Sequence, residues 1–289
     1  MRKTKKFTIL SHAVLIIVSA VAVIPFWLLV MASFTSEKSA INDGYRLIPK
    51  EFSLEAYKYL INRFELFGRG YLITIAVTVI GVVACIMITL AFSYMLSRPD
   101  LPLKRFFNFY VVFTMLFNGG LVATYITYTQ IFGIKNTIFA YIVPNLLTNA
   151  FYIMLVKNYI RGSIPHDLFE SARLDGAGEA SIFFRIVIPL SKPIIATLGL
   201  TVAVTYWNDW QNGVYYIDDQ KWHGIQNILN AISTNTKYLL SAGGGAIKSI
   251  PSETVRMAAA MIAILPIVIV YPFFQSYFVK GITLGAVKG

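Results

Sequence analysis

Apolar residues in this chain gather into long continuous runs instead of the short alternating stretches of a sheet protein. Six runs can be marked, at about 9–31, 71–96, 106–128, 137–156, 186–207 and 257–279. A helix needs roughly 20 apolar residues to cross the ~30 Å hydrocarbon layer of a bilayer, and each run reaches about that length. A membrane barrel would alternate with a period of two over about ten residues; these runs are apolar on every side. The pattern predicts an all-α polytopic membrane protein with six transmembrane helices. It divides into an N-terminal tail, first helix and outer loop over 1–70, a five-helix core over 71–279 and a C-terminal tail over 280–289.

Composition agrees with the pattern. The chain has 56% hydrophobic and 13% charged residues, against about 25% charged in a soluble domain. Too few charges exist to coat a water-facing surface, so the lipid bilayer is itself a partner. Arg2, Lys3, Lys5 and Lys6 ahead of the first run resemble the start of a signal peptide. A signal's apolar region is about 7–15 residues long and ends at a small-residue cleavage site. This run is longer and leads into Pro25, Phe26 and Trp27, as a retained anchor helix does. The one cysteine, Cys85, allows no internal disulfide, and His12, His166 and His223 share no metal-ligand spacing.

The net charge of +11 is explained by membrane topology, with no nucleic-acid partner needed. With the N-terminus inside, the segments 1–8, 97–105, 157–192 and 280–289 hold 14 of the 25 Lys and Arg, and the longer outer segments hold 11. Basic residues are denser on the inner side, as the positive-inside rule requires. Both termini are therefore expected in the cytoplasm of a multi-pass protein of the plasma membrane.

The spans lack a fuel site. None of the six runs holds an acidic residue, and Lys192 lies where it can snorkel to the interface. Ion-coupled transporters place ionisable groups inside their helices. Gly243, Gly244 and Gly245 ahead of Lys248 and Ser249 look like a phosphate loop, but Ile247 stands where that loop needs glycine. No cofactor is expected on this chain. Polar residues within or beside the spans are mostly neutral: Asn118, Tyr125, Asn145, Asn149 and Tyr152, with Trp207, Asn208 and Trp210 at the end of the fifth run. These suit a neutral, hydroxyl-rich solute passing along the helices, or equally helix-to-helix bonding; the tryptophans suit either sugar stacking or anchoring at the interface. Gly119 and Gly120 inside the third run admit a kink.

The inner loop between the fourth and fifth runs carries the sharpest pattern. Pro165 can open a helix, Asp167 and Glu170 lie near its positive end, Phe169, Ala172 and Leu174 give it apolar character, and Gly176 after Asp175 suits a left-handed stop. A second short helix is expected over about 179–185. Such a short rigid element suits docking into a groove on a soluble partner.

This stretch resembles the cytoplasmic motif of ABC importer permeases, Glu-Ala-Ala, three residues, Gly, nine residues, Ile, one residue, Leu-Pro. Here Glu170-Ser171-Ala172 is followed by Gly176, Ile186, Ile188 and Pro189, with every spacing kept. Asn118-Gly119-Gly120-Leu121, Arg173-Leu174-Asp175-Gly176-Ala177, Tyr206-Trp207-Asn208-Asp209-Trp210 and the tail from Lys280 to Gly289 are also similar to carbohydrate permeases, nearest to the polysaccharide or lipoprotein-type branch. Ala123 departs from the proline many relatives have. The resemblance implies a type I importer fold and a non-catalytic subunit paired with a second, homologous permease. It further implies an ATPase dimer that carries ATP and magnesium, an extracytoplasmic solute-binding lipoprotein, an oligosaccharide substrate and a Gram-positive host. Phe169, Glu170, Ala172, Leu174, Asp175 and Gly176 would belong to the coupling helix, and the tail over 280–289 would reach between the ATPases.

Two outer loops remain. Leu54, Tyr57, Leu60 and Ile61 recur at helical spacing behind Ser53, which suits an N-cap. In the other, Asp209, Asp218 and Asp219 form the acidic set that a rival reading would use, a polytopic membrane enzyme acting on glycan or lipid-linked substrate.

Overall fold

The computed structural model describes residues 5–144, 146–241 and 252–286. Among these the chain is helical without strands, apart from an isolated antiparallel bridge between Thr35 and Phe52. In chain order the helices are α1 (Lys5–Ser33), α2 (Glu37–Asp43), α3 (Glu55–Asn62), α4 (Phe64–Ser97), α5 (Lys104–Leu116), α6 (Gly120–Ile126), α7 (Phe139–Ile142), α8 (Ala150–Ser163), α9 (His166–Leu174), α10 (Glu179–Ile182), α11 (Ile188–Leu190), α12 (Lys192–Trp207), α13 (Gln211–Tyr216), α14 (Ile225–Ser241) and α15 (Ser252–Ala286). The look-alike phosphate loop at 243–249 and Asn145 lie outside the described residues.

Among the described residues, three helices are long and apolar enough to cross a membrane: Phe7–Ser33, Phe64–Ser97 and Glu253–Val270. Two more are broken pairs. Lys104–Leu116 meets Gly120–Ile131 at 113°, and Glu179–Leu190 meets Lys192–Trp207 at 78°. The first break falls at the paired glycines, where Asn118 Oδ1 accepts the Gly120 N–H at 2.8 Å. The second falls at Ser191, directly before Lys192 and Pro193. The run 137–156 is not one helix: α7 stops before Pro144, whose ring removes a backbone donor, and α8 restarts at Ala150. Among the described residues, three to five helices are thus long and apolar enough to cross a membrane. The last helix, α15, continues to Ala286.

One compact unit comprises residues 1–68 and 228–266. Here α1 leaves most of its surface uncovered, with Ile9, Leu15 and Ile16 all above 60% exposed. Such a surface needs lipid as its solvent. Glu37 closes this unit: its carboxylate accepts the backbone N–H groups of Glu253 and Thr254 at 3.1 and 3.0 Å and the Thr254 hydroxyl at 2.7 Å. The unpaired donors at the start of α15 are thereby satisfied by an acid at the positive end of its dipole. In α3 the capping residue is Leu54 and not Ser53, though Ser53 Oγ still accepts the Glu55 N–H at 3.2 Å. Ala56 and Leu60 are the buried positions of that helix, while Leu54 and Ile61 face out.

The other unit comprises residues 69–227 and 267–289. One of its cores gathers Leu90 and Tyr94 of α4, Val156 and Ile160 of α8, Phe169 of α9, and Ile182, Phe183 and Val187 beyond it. A second surrounds Tyr206 of α12 with Val77, Cys85, Tyr141, Ile142 and Tyr216. In this second core α4 and α12 cross closely at Gly81.

Candidate functional site

Local signals define α9 at both ends. Ile164 and Pro165 have extended backbone, and Pro165 stands at the N-cap with φ −59° and ψ 136°. Asp167 occupies the first turn. At the far end Gly176 has φ +81°. Its N–H donates to Arg173 O at 3.0 Å, and the Ala177 N–H donates to Ala172 O at 2.9 Å. This reciprocal pair is a Schellman cap, which needs a residue in the left-handed region, where only glycine sits without strain.

The helix has an anchoring face and a free face. Phe169 is 7% exposed, with its ring 5.9 Å from that of Tyr94. Ala172 and Ala177 pack against the same core. Glu170 points out and accepts from His166 Nδ1 at 3.1 Å, while Asp175 is exposed and Leu174 is 89% exposed. Of the residues expected on a docking surface, Phe169 is therefore the root that holds the helix, and Glu170, Leu174 and Asp175 form its presented rim.

One set of residues escaped the sequence reading. Glu179, which opens α10, accepts from the Tyr94 hydroxyl at 2.5 Å, from Arg173 Nε at 3.1 Å and from Arg98 at 3.2 Å. It ties the end of α4, the last turn of α9 and the start of α10 into one joint. Its spacing from Arg173 was a visible hint, but its bonds to Tyr94 and Arg98 bridge about 80 residues and carry no local sign.

The solute-path candidates do not converge on one cavity. Asn149 caps α8, its Oδ1 accepting the N–H groups of Phe151 and Tyr152 at 2.9 and 3.3 Å. Asn149 and Tyr152 line a small cavity of about 30 Å³ together with Thr205. Asn208 is exposed one turn past Val204, and its Oδ1 accepts from Gln226 at 3.4 Å. Tyr125 lies elsewhere, stacked on Tyr216 at 5.8 Å. Asn118 serves the bend at Gly120. Trp210 is 45% exposed, whereas Trp207 is 7% exposed and packs beside Tyr71, so it presents neither a stacking face nor an interface anchor.

The acidic residues Asp209, Asp218 and Asp219 are separately engaged. Asp218 pairs with Lys135 at 2.7 Å and Asp219 with Lys221 at 2.9 Å. Asp209 accepts from the backbone and side-chain nitrogens of Asn212 at 3.1 and 2.9 Å. Burial pushes the Asp209 carboxyl up to about 6, although the Asn212 bonds pull the other way. Between the ordinary carboxylate value of 3.8 and about 6, the folded chain holds a proton that the unfolded chain has released. Folding stability should then rise as pH falls through 6 and level off below 3.8. The melting temperature of the detergent-purified chain should climb between pH 7 and pH 5, and Asp209→Asn should flatten that climb. An equal climb in the variant would place the proton elsewhere.

Residues 97–284 match the family model described as binding-protein-dependent transport system inner membrane component. The chain is 37% identical to the polygalacturonan/rhamnogalacturonan transport system permease protein YtcP of Bacillus subtilis over 99% of this chain and 100% of that one. It is 34% identical to protein LplC of the same organism, over 94% and 91% of the two chains. Among solved structures it resembles a bacterial ABC transporter involved in the import of the acidic polysaccharide alginate. That match has a TM-score of 0.82 and 29% identity and covers 96% of this chain and 98% of that one.

Proposed function

Because this chain belongs to the family of binding-protein-dependent transport inner-membrane components, we propose that α9 is its coupling helix, the element through which a partner ATPase drives carbohydrate across the membrane. The chain is a multi-pass, non-catalytic permease subunit of a carbohydrate ABC importer. In the finer reading its core spans 71–279, both termini are cytoplasmic, and the broken segment from α7 through α8 supplies the sixth crossing. A second permease, an ATPase dimer binding ATP and magnesium, and an extracytoplasmic binding lipoprotein complete the assembly in a Gram-positive membrane. The substrate is an oligosaccharide or complex carbohydrate, in keeping with the names of the relatives. Thr205, Asn149, Tyr152, Asn208 and Trp210 are the polar groups best placed to line its path.

The observation that carries the reading is the division of labour on α9. A helix whose root is buried and whose rim is bare transmits force as a rigid lever. ATP binding favours the closed ATPase pair, and a docked helix makes that preference a preference for one orientation of the permease. Glu170→Lys should leave the importer assembled, because Glu170 is exposed and its intrachain contact is with His166. Reversing its charge should nonetheless lower substrate-stimulated ATP hydrolysis several-fold in proteoliposomes. Hydrolysis and uptake at wild-type levels would remove Glu170 from the coupling surface.

A further inference from the structure

The contact between α9 and α4 is incompletely filled. Phe169 of α9 meets the Tyr94 ring at 5.9 Å, and Phe183 meets the same ring at 6.0 Å. Beside this contact lies a cavity of about 140 Å³, lined by Tyr94 and Ser97 of α4, by Arg98 just beyond it, and by Phe169 and Arg173 of α9. A void gives its lining no contacts on the open side, and apolar packing has no preferred direction. Phe169 therefore keeps α9 near α4 without fixing its tilt or register.

One carboxylate supplies what the packing lacks. Glu179 Oε1 accepts from Arg173 Nε of α9 at 3.1 Å, while Oε2 accepts from the Tyr94 hydroxyl of α4 at 2.5 Å and pairs with Arg98 Nη1 at 3.2 Å. Arg98 is oriented in turn: its Nε donates to Asp100 at 3.2 Å, and its carbonyl accepts from Lys104 Nζ at the start of α5. Charge-assisted hydrogen bonds of this kind fix geometry as well as adding energy. Stability is not their main yield here, because the Glu179 side chain is 43% exposed and exposed ion pairs contribute little. We propose that Glu179 is the positioning residue that locks α9 to the end of α4, so that the partner ATPase moves the two as one lever, a role that rests on α9 being the coupling helix. Hydrogen-bond networks joined to rigid helices carry such coupling between distant sites.

Cryo-electron microscopy of the assembled importer, nucleotide-free and with a non-hydrolysable ATP analogue and magnesium, tests this without any solute. In the unaltered complex the Glu179 bonds to Tyr94 and Arg173 should persist in both states, with α4 and α9 superposing as one body. In Glu179→Gln, α9 should stay docked on the ATPase but shift against α4. The share of nucleotide-bound particles whose membrane core has left the nucleotide-free conformation should fall several-fold. Arg173→Gln cuts only the α9 leg, keeps the helix propensity of that position and should act in the same direction, so it serves if the first variant does not assemble. Failure of both variants to assemble would make the joint a folding element and overturn the proposal. So would a change in the α4–α9 relation between the two states of the unaltered complex, a core that follows the ATPase normally in the variants, or an α9 that leaves the ATPase in them. An α9 that touches no ATPase in the unaltered complex would instead overturn the coupling-helix reading itself, and this role with it.

Discussion

Leu174→Gln should reduce solute uptake by a factor on the order of thirty while leaving the amount and melting temperature of the membrane-inserted chain unchanged. Leu174 is 89% exposed in the last turn of α9, so it contributes almost nothing to the fold of the isolated chain. Surface substitutions of this kind usually change stability by no more than about 0.5 kcal/mol. Burying a leucine side chain in a partner's groove is worth about 1.5–3 kcal/mol, and an anchor at the centre of an interface commonly costs about 2 kcal/mol or more when removed. At roughly 1.4 kcal/mol per tenfold change, such a loss weakens docking by about thirtyfold. Glutamine keeps the helix propensity of leucine, so the helix itself persists. Uptake in whole cells and thermal melting of the purified chain should therefore separate. If uptake survives, Leu174 faces solvent in the working complex. If both readouts fall together, its role is in the fold.

Phe169 makes the complementary case within the same helix. Both residues are apolar and five positions apart, yet one is a root and the other a rim. Their sequence context did not distinguish them, because a nine-residue helix with apolar groups on more than one side has no unique inner face until Tyr94 is brought up against it. The ends of α9 were legible for the opposite reason. Pro165, Asp167 and Gly176 act through their own backbone and first-turn chemistry, which needs no distant partner.

The same distinction sorts the rest of the fold. The kink at Gly119 and Gly120 was visible locally, as was the expectation of long apolar helices at α1, α4 and α15. The interruption of the run 137–156 was harder to see. Pro144 was a warning, but an apolar run with one proline can also remain a kinked span. What settles the break is remote: Asn212 Nδ2 donates to Pro144 O at 3.1 Å, and the Tyr206 hydroxyl donates to Ile142 O at 3.0 Å. These partners satisfy carbonyls that a continuing helix would have bonded itself. The solute path was the least legible part. Neutral polar residues spend their hydrogen bonds on caps and bends as readily as on solutes, which is what Asn118 and Asn149 do.

Gly81→Ala should sharply lower the yield of folded chain, and a second change at Tyr206 should partly restore it. A methyl group built on Gly81 would sit 2.5, 2.6 and 2.8 Å from Cζ, Cε1 and Cε2 of Tyr206. Real Cβ atoms do not approach a ring so closely, so α4 and α12 would have to separate or the ring would have to move. The ring is held in place: Tyr206 is 2% exposed, its hydroxyl donates to the Ile142 carbonyl, it shares a core with Val77, Cys85 and Tyr141, and the cavity it lines with Asn149 and Tyr152 is only about 30 Å³. Overfilling a close-packed site costs about 1–3 kcal/mol, and glycine at a membrane helix crossing is there to let the backbones approach. Tyr206→Leu alone should also destabilise, since it empties part of the core and leaves the Ile142 carbonyl unpaired. Combined with Gly81→Ala it supplies the space the methyl group needs, so the double variant should be more stable than the two losses added together, by a coupling of about 0.5–3 kcal/mol. Melting curves of the four proteins in detergent measure that coupling. Strict additivity would mean that Gly81 and Tyr206 do not meet, and that α4 and α12 cross elsewhere.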